Sequence, residues 1–298
     1  MNGCSFLELV FIGALVGACD EPAPAAAPEP TPEPAVEAAQ APAAEPAGNV
    51  TWRELEPGLE LAGIHLPVPS FVGDSVLRVV RVDPARWTLS LQMASATGGR
   101  LRTAQGWLET TGGVAAINAA MFGQDYSQGV GWMSSGEHIN QGRWAPDQNS
   151  LLAFDPVSVA DPAVHLYNLG CASRTEAEAR YRTRVQSIRM LGCAGENVWS
   201  EQPKVWSAAL VGQDRAGRVL LLHVRSPYSM HALVDQLRAL PLDLVALHYG
   251  EGGPEATLAI RTARARDTWV GSWETGFYER DDNHLESELP NMIVVRRR

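Results

Sequence analysis

The chain has 298 residues, 45% hydrophobic and 19% charged, a composition that suits one large globular domain or two small ones and excludes a chain disordered throughout. Its formal charge of −10 is concentrated, because residues 20–48 hold six acids (Asp20, Glu21, Glu29, Glu33, Glu37 and Glu45) and no Lys or Arg, leaving 28 acids against 24 bases elsewhere. The bases are scattered arginines with one lysine, Lys204, and the closing Arg296-Arg297-Arg298 reads as a solvated tail, so no nucleic-acid partner is expected.

Leu9 to Ala18 is a short apolar run ending in Val16-Gly17-Ala18-Cys19, which resembles a bacterial lipobox with Cys19 as the lipidated residue. The run is too short to span a bilayer, so residues 1–19 read as a cleaved lipoprotein signal, although the segment before it carries Glu8 and no base. Residues 20–48 contain eight prolines and almost nothing that a core can use. Such a Pro/Ala/Glu-rich segment is expected to stay disordered and, extended at about 3.1 Å per residue, to reach roughly 90 Å. Signal, tether and a domain over residues 49–298 together predict an extracytoplasmic protein held on a bacterial membrane, facing the periplasm or the cell surface, through Cys19.

Cys171 and Cys193 stand apart from the N-terminal Cys4 and Cys19. They either close a loop of about twenty residues, for which a disulfide is worth about 3 kcal/mol, or remain two buried thiols. The oxidising compartment implied by the signal segment favours the disulfide.

Within the domain, which begins near Trp52, Val76–Val82 and Trp87–Met93 read as strands. The second alternates strictly, with Trp87, Leu89, Leu91 and Met93 on one face, and Asp83-Pro84 predicts a hairpin or meander between the two. Thr103 caps a short helix stopped by Gly112-Gly113, and a buried strand from Val114 to Ala119 then delivers Asn118 into a glycine-rich loop. Leu151–Phe154 is a further strand, Glu176–Arg180 and Glu178–Arg182 are i,i+4 pairs on a solvated helix, and Val185–Leu191 returns as a strand. Trp206–Gln213 and Val219–Val224 form a hairpin, and Ser229 caps a helix whose Leu233, Val234, Leu237 and Leu240 share one face.

Leu244–Leu258 is the most informative stretch. A buried strand there breaks into Gly250, Gly252 and Gly253 around one carboxylate, Glu251. Glycines let backbone approach a ligand closely and accept positive φ, although a tight turn with an incidental glutamate has the same pattern. Beyond it, Ala256–Ile260 is a strand, Trp269, Trp273, Phe277 and Tyr278 alternate with glycines and acids, and Met292–Val295 closes the sheet. Aromatics so spaced serve either a core or a sugar-stacking platform, the latter naming Trp273. The expected fold is α+β, a mixed, largely antiparallel sheet with a few flanking helices.

In order along the chain, Ala116-Ile-Asn-Ala-Ala-Met-Phe-Gly123, Val185-Gln-Ser-Ile-Arg-Met-Leu191, Leu244–Leu258 and Leu289-Pro-Asn-Met-Ile-Val-Val295 resemble the phosphodiester glycosidase family. The resemblance implies hydrolysis of a glycosidic bond, with a glycan or glycosyl phosphate as the partner molecule and no cofactor or metal. It places Glu251 at the family aspartate and Glu255 at a small hydroxyl position, and makes these two the catalytic candidates. Asn118, Gln186, Ser187, His248, Gly252, Gly253 and Trp273 become substrate-binding candidates. Ile188-Arg189 replaces the family Gly-Pro, and Trp206-Ser207 stands where the family has an arginine. Two alternatives accompany this reading: a descendant that binds envelope glycan without cutting it, and a metal site built on His223 and His248, whose spacing matches no metal-binding motif.

Overall fold

Alternating and continuous apolar runs build eighteen strands and three helices into residues 50–298, the part of the chain that the computed structural model describes. The signal segment 1–19, Cys19 and the tether 20–48 lie outside the described residues. In chain order the elements are β1 (Arg53–Glu56), β2 (Leu59–His65), β3 (Val76–Val82), β4 (Trp87–Met93), α1 (Ala104–Thr111), β5 (Ala115–Asn118), β6 (Met133–Ser135), β7 (His138–Gln141), β8 (Ser150–Pro156) and β9 (Val164–Asn168). They continue through α2 (Arg174–Arg180), β10 (Tyr181–Ser187), β11 (Trp206–Asp214), β12 (Val219–Tyr228), α3 (Met230–Ala239), β13 (Leu244–Gly252), β14 (Thr257–Arg261), β15 (Arg266–Val270), β16 (Trp273–Glu274), β17 (Tyr278–Glu279) and β18 (Asn291–Arg297).

Three antiparallel sheets result. The first runs β1-β2-β3-β12-β11-β16-β17, with β13 also on β11; the second runs β15-β14-β5-β18-β4; the third runs β7-β6-β10-β8-β9. The first and second sheets face each other across a core that includes Val80, Val211, Leu221, Ile117, Leu258 and Ile293, all buried. On the other side of the first sheet α3 packs Leu233, Val234 and Leu237 against Leu210, Leu222 and Leu247. On the other side of the second, α1 seats Trp107 and Leu108 against Ala116, Ala259 and Val294. The antiparallel α+β architecture read from the sequence is therefore present, as two helices enclosing two facing sheets with the third sheet alongside.

The caps form as their chemistry dictates: Thr103 Oγ1 accepts the Gly106 N–H, and Ser229 Oγ accepts the Ala232 N–H. Cys171 and Cys193 are joined in a disulfide. Three local expectations are corrected. β3 and β4 are not a hairpin, because β3 pairs with β2 and β12 whereas β4 pairs with β18 in the other sheet; the Asp83-Pro84 turn carries the chain between layers. β10 starts earlier than expected and ends at Ser187, since Tyr181 already pairs with Pro156. Glu178 meets Arg174 rather than Arg182, because α2 stops at Arg180 and Arg182 is already in a strand.

The register between β11 and β13 positions everything that follows. Tyr249 is opposite Leu210 and Glu251 is opposite Ala209, so Gly250 is the extra residue of a β-bulge. Directly opposed residues share a face, and neighbours on β11 point to opposite faces. Tyr249 thus joins Leu210 on the α3 side, while Glu251 is turned to the Ala209 side, toward the second sheet. Without the bulge both would point the same way. A Cβ on Gly250 would come within 2.7 Å of the Ala209 carbonyl oxygen and 3.0 Å of that of Asn118, both immobile backbone. Gly250→Ala is therefore expected to lose about 1–3 kcal/mol of stability, an overpacking cost measurable by denaturant unfolding.

Candidate active site

One edge of β11 is shared by two partners. β13 pairs with it from Asp214 back to Ala208, and where β13 leaves, β16 takes over with Glu274 opposite Trp206. The glycine turn Gly252-Gly253-Pro254-Glu255 sits at this changeover, and Gly253 has φ +67°, which favours glycine. A side chain on Gly253 would collide with the Glu274 carboxylate, and one on Gly252 with the Tyr249 hydroxyl and the Trp206 indole. The turn stays side-chain-free because three elements converge on it.

Asn118, at the end of β5 and fully buried, fixes the turn from the second sheet. Its Nδ2 donates to the Glu255 carbonyl at 3.1 Å and its Oδ1 accepts from Thr257 N at 2.6 Å. Downstream of Asn118 the loop 122–129 closes on itself, with Gly123 N bonded to Gln128 O and Tyr126 N to Gly123 O, both at 2.9 Å. Tyr126 takes a left-handed φ of 55° there. Its hydroxyl donates to Glu255 Oε1 at 2.8 Å.

Between this loop and the turn lies a cleft of about 480 Å³ lined by Phe122, Gly123, Gln124, Tyr126, Glu251, Gly252, Glu255, Glu274 and Phe277. Three carboxylates, Glu251, Glu255 and Glu274, share this one concavity. Burial pushes the Glu251 carboxyl from its ordinary 4.5 up to about 8, and the negative charges of Glu255 and Glu274 add to the shift, while the Gly252 and Phe122 backbone groups pull against it. Glu274 is raised by burial and by Glu255, with Lys204 opposing. Tyr126 is raised to about 12 by burial and by its bond to Glu255. At neutral pH Glu251 therefore keeps its proton, the state required of a general acid.

The sequence candidates separate into those at the cleft and those behind it. Glu251, Glu255 and Gly252 line it, and Gly253 and Asn118 shape the turn from beneath. Trp273 adjoins Glu274 on β16 and packs edge-on against Phe71, with ring centroids 5.1 Å apart. His248 is fully buried and staples three segments, with Nε2 3.1 Å from the Ala119 carbonyl and Nδ1 3.0 Å from Ser150 Oγ. Burial lowers its pKa to about 4, so the neutral ring donates to Ala119 and accepts from Ser150. Gln186 accepts from Trp132 N and Ala145 N and donates to the Ala145 and Gln148 carbonyls, ordering the loop beside β6. Ser187 is fully buried, with no partner for its hydroxyl among the described residues. Among the described residues no group of three or more His, Cys, Asp or Glu is placed to hold a metal. His223, buried and lowered to about 4 by its burial, bonds instead to the Ala256 carbonyl at 3.1 Å.

Sequence reasoning missed Phe122, Gln124, Tyr126, Glu274 and Phe277 as cleft residues. For Tyr126 the available signal was its place in a glycine-bounded loop directly after the Asn118 motif. For Glu274 there was only its position among glycine-separated aromatics.

A carboxylate-lined cleft on an antiparallel α+β scaffold, with one acid held protonated, is the class of site that the geometry defines. The chain belongs to the phosphodiester glycosidase family, whose model matches residues 111–296. In fold it is similar to the catalytic domain of zebrafish N-acetylglucosamine-1-phosphodiester alpha-N-acetylglucosaminidase, auto-inhibited by its pro-peptide, with a TM-score of 0.54 and 10% identity over 84% of this chain and 82% of that one. A hypothetical protein from Synechocystis matches with a TM-score of 0.54 and 12% identity, over 85% of this chain and 64% of that one. No curated protein matches the sequence.

Because the folded chain holds the Glu251 proton to about pH 8 while the unfolded chain releases it near 4.5, the folded state binds more protons between those values and loses stability as pH rises through them. Glu251→Gln removes that loss. The variant should melt above the wild type at about pH 9, and the advantage should disappear by about pH 5.

Proposed function

We propose that residues 50–298 hydrolyse a glycosidic bond in an extracytoplasmic glycan, with Glu251 as the acid that protonates the leaving group and Glu255 as the second carboxylate of the pair. The observation that carries this reading is the unequal environment of two acids in one cleft. Glu251 is desolvated beside like charges, whereas Glu255 accepts a hydrogen bond from the Tyr126 hydroxyl. Glycoside cleavage commonly uses two carboxyls in different environments flanking the scissile bond. Asn118 acts as a positioning residue, since it holds the backbone of Glu255 rather than reaching into the cleft. Phe122, Tyr126 and Phe277 supply the apolar planes against which sugar rings stack.

Membership of the family supports a glycan or glycosyl-phosphate substrate, and the Cys171–Cys193 disulfide supports an extracytoplasmic setting. On this reading Cys19 carries the lipid and residues 20–48 hold the domain away from the bilayer. Cys19→Ser should move the protein from the membrane to the soluble fraction; a variant that stays with the membrane would rule out attachment at this residue.

Release of reducing sugar from a panel of aryl glycosides, glycosyl phosphodiesters and envelope polysaccharides tests the chemistry. Glu251→Gln should lower turnover by about 100-fold or more, and wild-type activity should fall as pH rises past about 8 and the acid ionises. Saturable glycan binding with no turnover after prolonged incubation would instead support a non-catalytic glycan-binding protein.

A further inference from the structure

Elsewhere in the described residues, several partly buried acids are neutralised by arginine. Glu60 meets Arg81, Asp161 meets Arg180 and Asp214 meets Arg218, each at 2.6 Å, and Asp281 meets Arg225 at 2.9 Å. The cleft breaks this pattern. No Lys, Arg or His among the described residues lines it. Glu251 accepts a hydrogen bond from the N–H of the next residue, Gly252, at 3.0 Å, and Glu255 accepts one from Tyr126. No hydrogen bond or ion pair reaches the Glu274 carboxylate among the described residues. Lys204, whose positive charge acts on Glu274, is itself exposed.

Unpaired carboxylates in a concavity produce a negative potential that a bound cation relieves and a bound anion worsens. Three of the other lining residues, Phe122, Tyr126 and Phe277, are aromatic. Phe122 and Tyr126 lie 4.9 Å apart on one side, and Phe277, 70% exposed, stands on the other. At the neighbouring position of β16, Trp273 packs edge-on against Phe71, which is 69% exposed, and neither of the two lines the cleft. Acids set among aromatic faces favour an ammonium group, which gains charge pairing and cation–π attraction together.

We propose that the cleft selects a glycan chain of amino sugars whose residue at the scissile bond carries a free ammonium group, held by Glu274 and Glu255 against the Tyr126 and Phe277 rings. The proposal rests on the hydrolytic reading of this cleft and narrows its substrate. It places a glycosyl phosphodiester, whose phosphate is an anion, among the disfavoured ligands. Phe122, Tyr126 and Phe277 supply the stacking surfaces for the sugar rings.

The test compares three ligand sets on the full chain: oligomers of glucosamine and galactosamine, the same oligomers N-acetylated, and the corresponding hexosamine 1-phosphates. Dissociation constants are measured by calorimetry on the Glu251→Gln variant, so that binding is read apart from turnover, and reducing-end release is followed with the wild type. The free-amine oligomers should bind at least about tenfold tighter than the N-acetylated ones, a difference of about 1.4 kcal/mol. The preference should shrink at high ionic strength. Adding Glu274→Gln should erase most of it, and adding Lys204→Gln, a change at an exposed position, should enlarge it by about twofold to threefold. Equal or tighter binding of the N-acetylated or phosphorylated sugars overturns the proposal. Cleavage without an amine preference would leave hydrolysis standing and sink this inference; an amine preference without cleavage would do the reverse.

Discussion

The candidate site depends on one irregularity in one strand pair. By inserting Gly250 between Tyr249 and Glu251, the bulge on β13 sends these two side chains to opposite faces of the first sheet. Tyr249 goes into the α3 layer and Glu251 goes to the side where β5 and its following loop bring Asn118 and Tyr126. The absence of a side chain at Gly250 lets the backbones of Ala209, Asn118 and β13 come together at one point. The same close approach removes water from around Glu251, so the geometry that aims the carboxyl also raises its pKa.

Around this point the protein uses buried polar side chains as fasteners. Asn118, Gln186, His248 and His223 each bond to backbone carbonyls or N–H groups of segments far away in sequence. Each satisfies polar groups that burial would otherwise leave unpaired, and a buried donor or acceptor without a partner costs about 1–3 kcal/mol. These residues form the support of the cleft, and its acids and aromatics face into it. These bonded fasteners contrast with Glu274, whose carboxylate no hydrogen bond or ion pair reaches among the described residues.

The motif stretches converge on one cleft because β5, β13 and the turn after it are local features with local signatures: apolar runs ending in Asn or Gly. Charge complementarity was less legible. Counting acids in the sequence does not distinguish Glu274 from Glu279 five residues later, and only the pairing of β16 with the start of β11 brings the first of these beside Gly253. Likewise, Gln186 and His248 are polar residues in apolar strands, a pattern shared by ligand contacts and by internal fasteners. Their hydrogen-bond partners, which come from residues tens of positions away, decide between the two.

By itself the sequence determined what short-range physics controls: the Thr103 and Ser229 caps, the hairpin of β11 and β12, the alternation of β4, the α+β class and the glycine turn carrying Glu251. The tertiary structure decided which layer each strand entered, sending β3 and β4 to different sheets across a turn that reads as a hairpin. It also decided which face Glu251 occupies and which distant acid joins it. Those outcomes depend on register and on contacts between segments tens to hundreds of residues apart, and a bulge of one residue, which leaves composition and spacing unchanged, reverses every side chain beyond it.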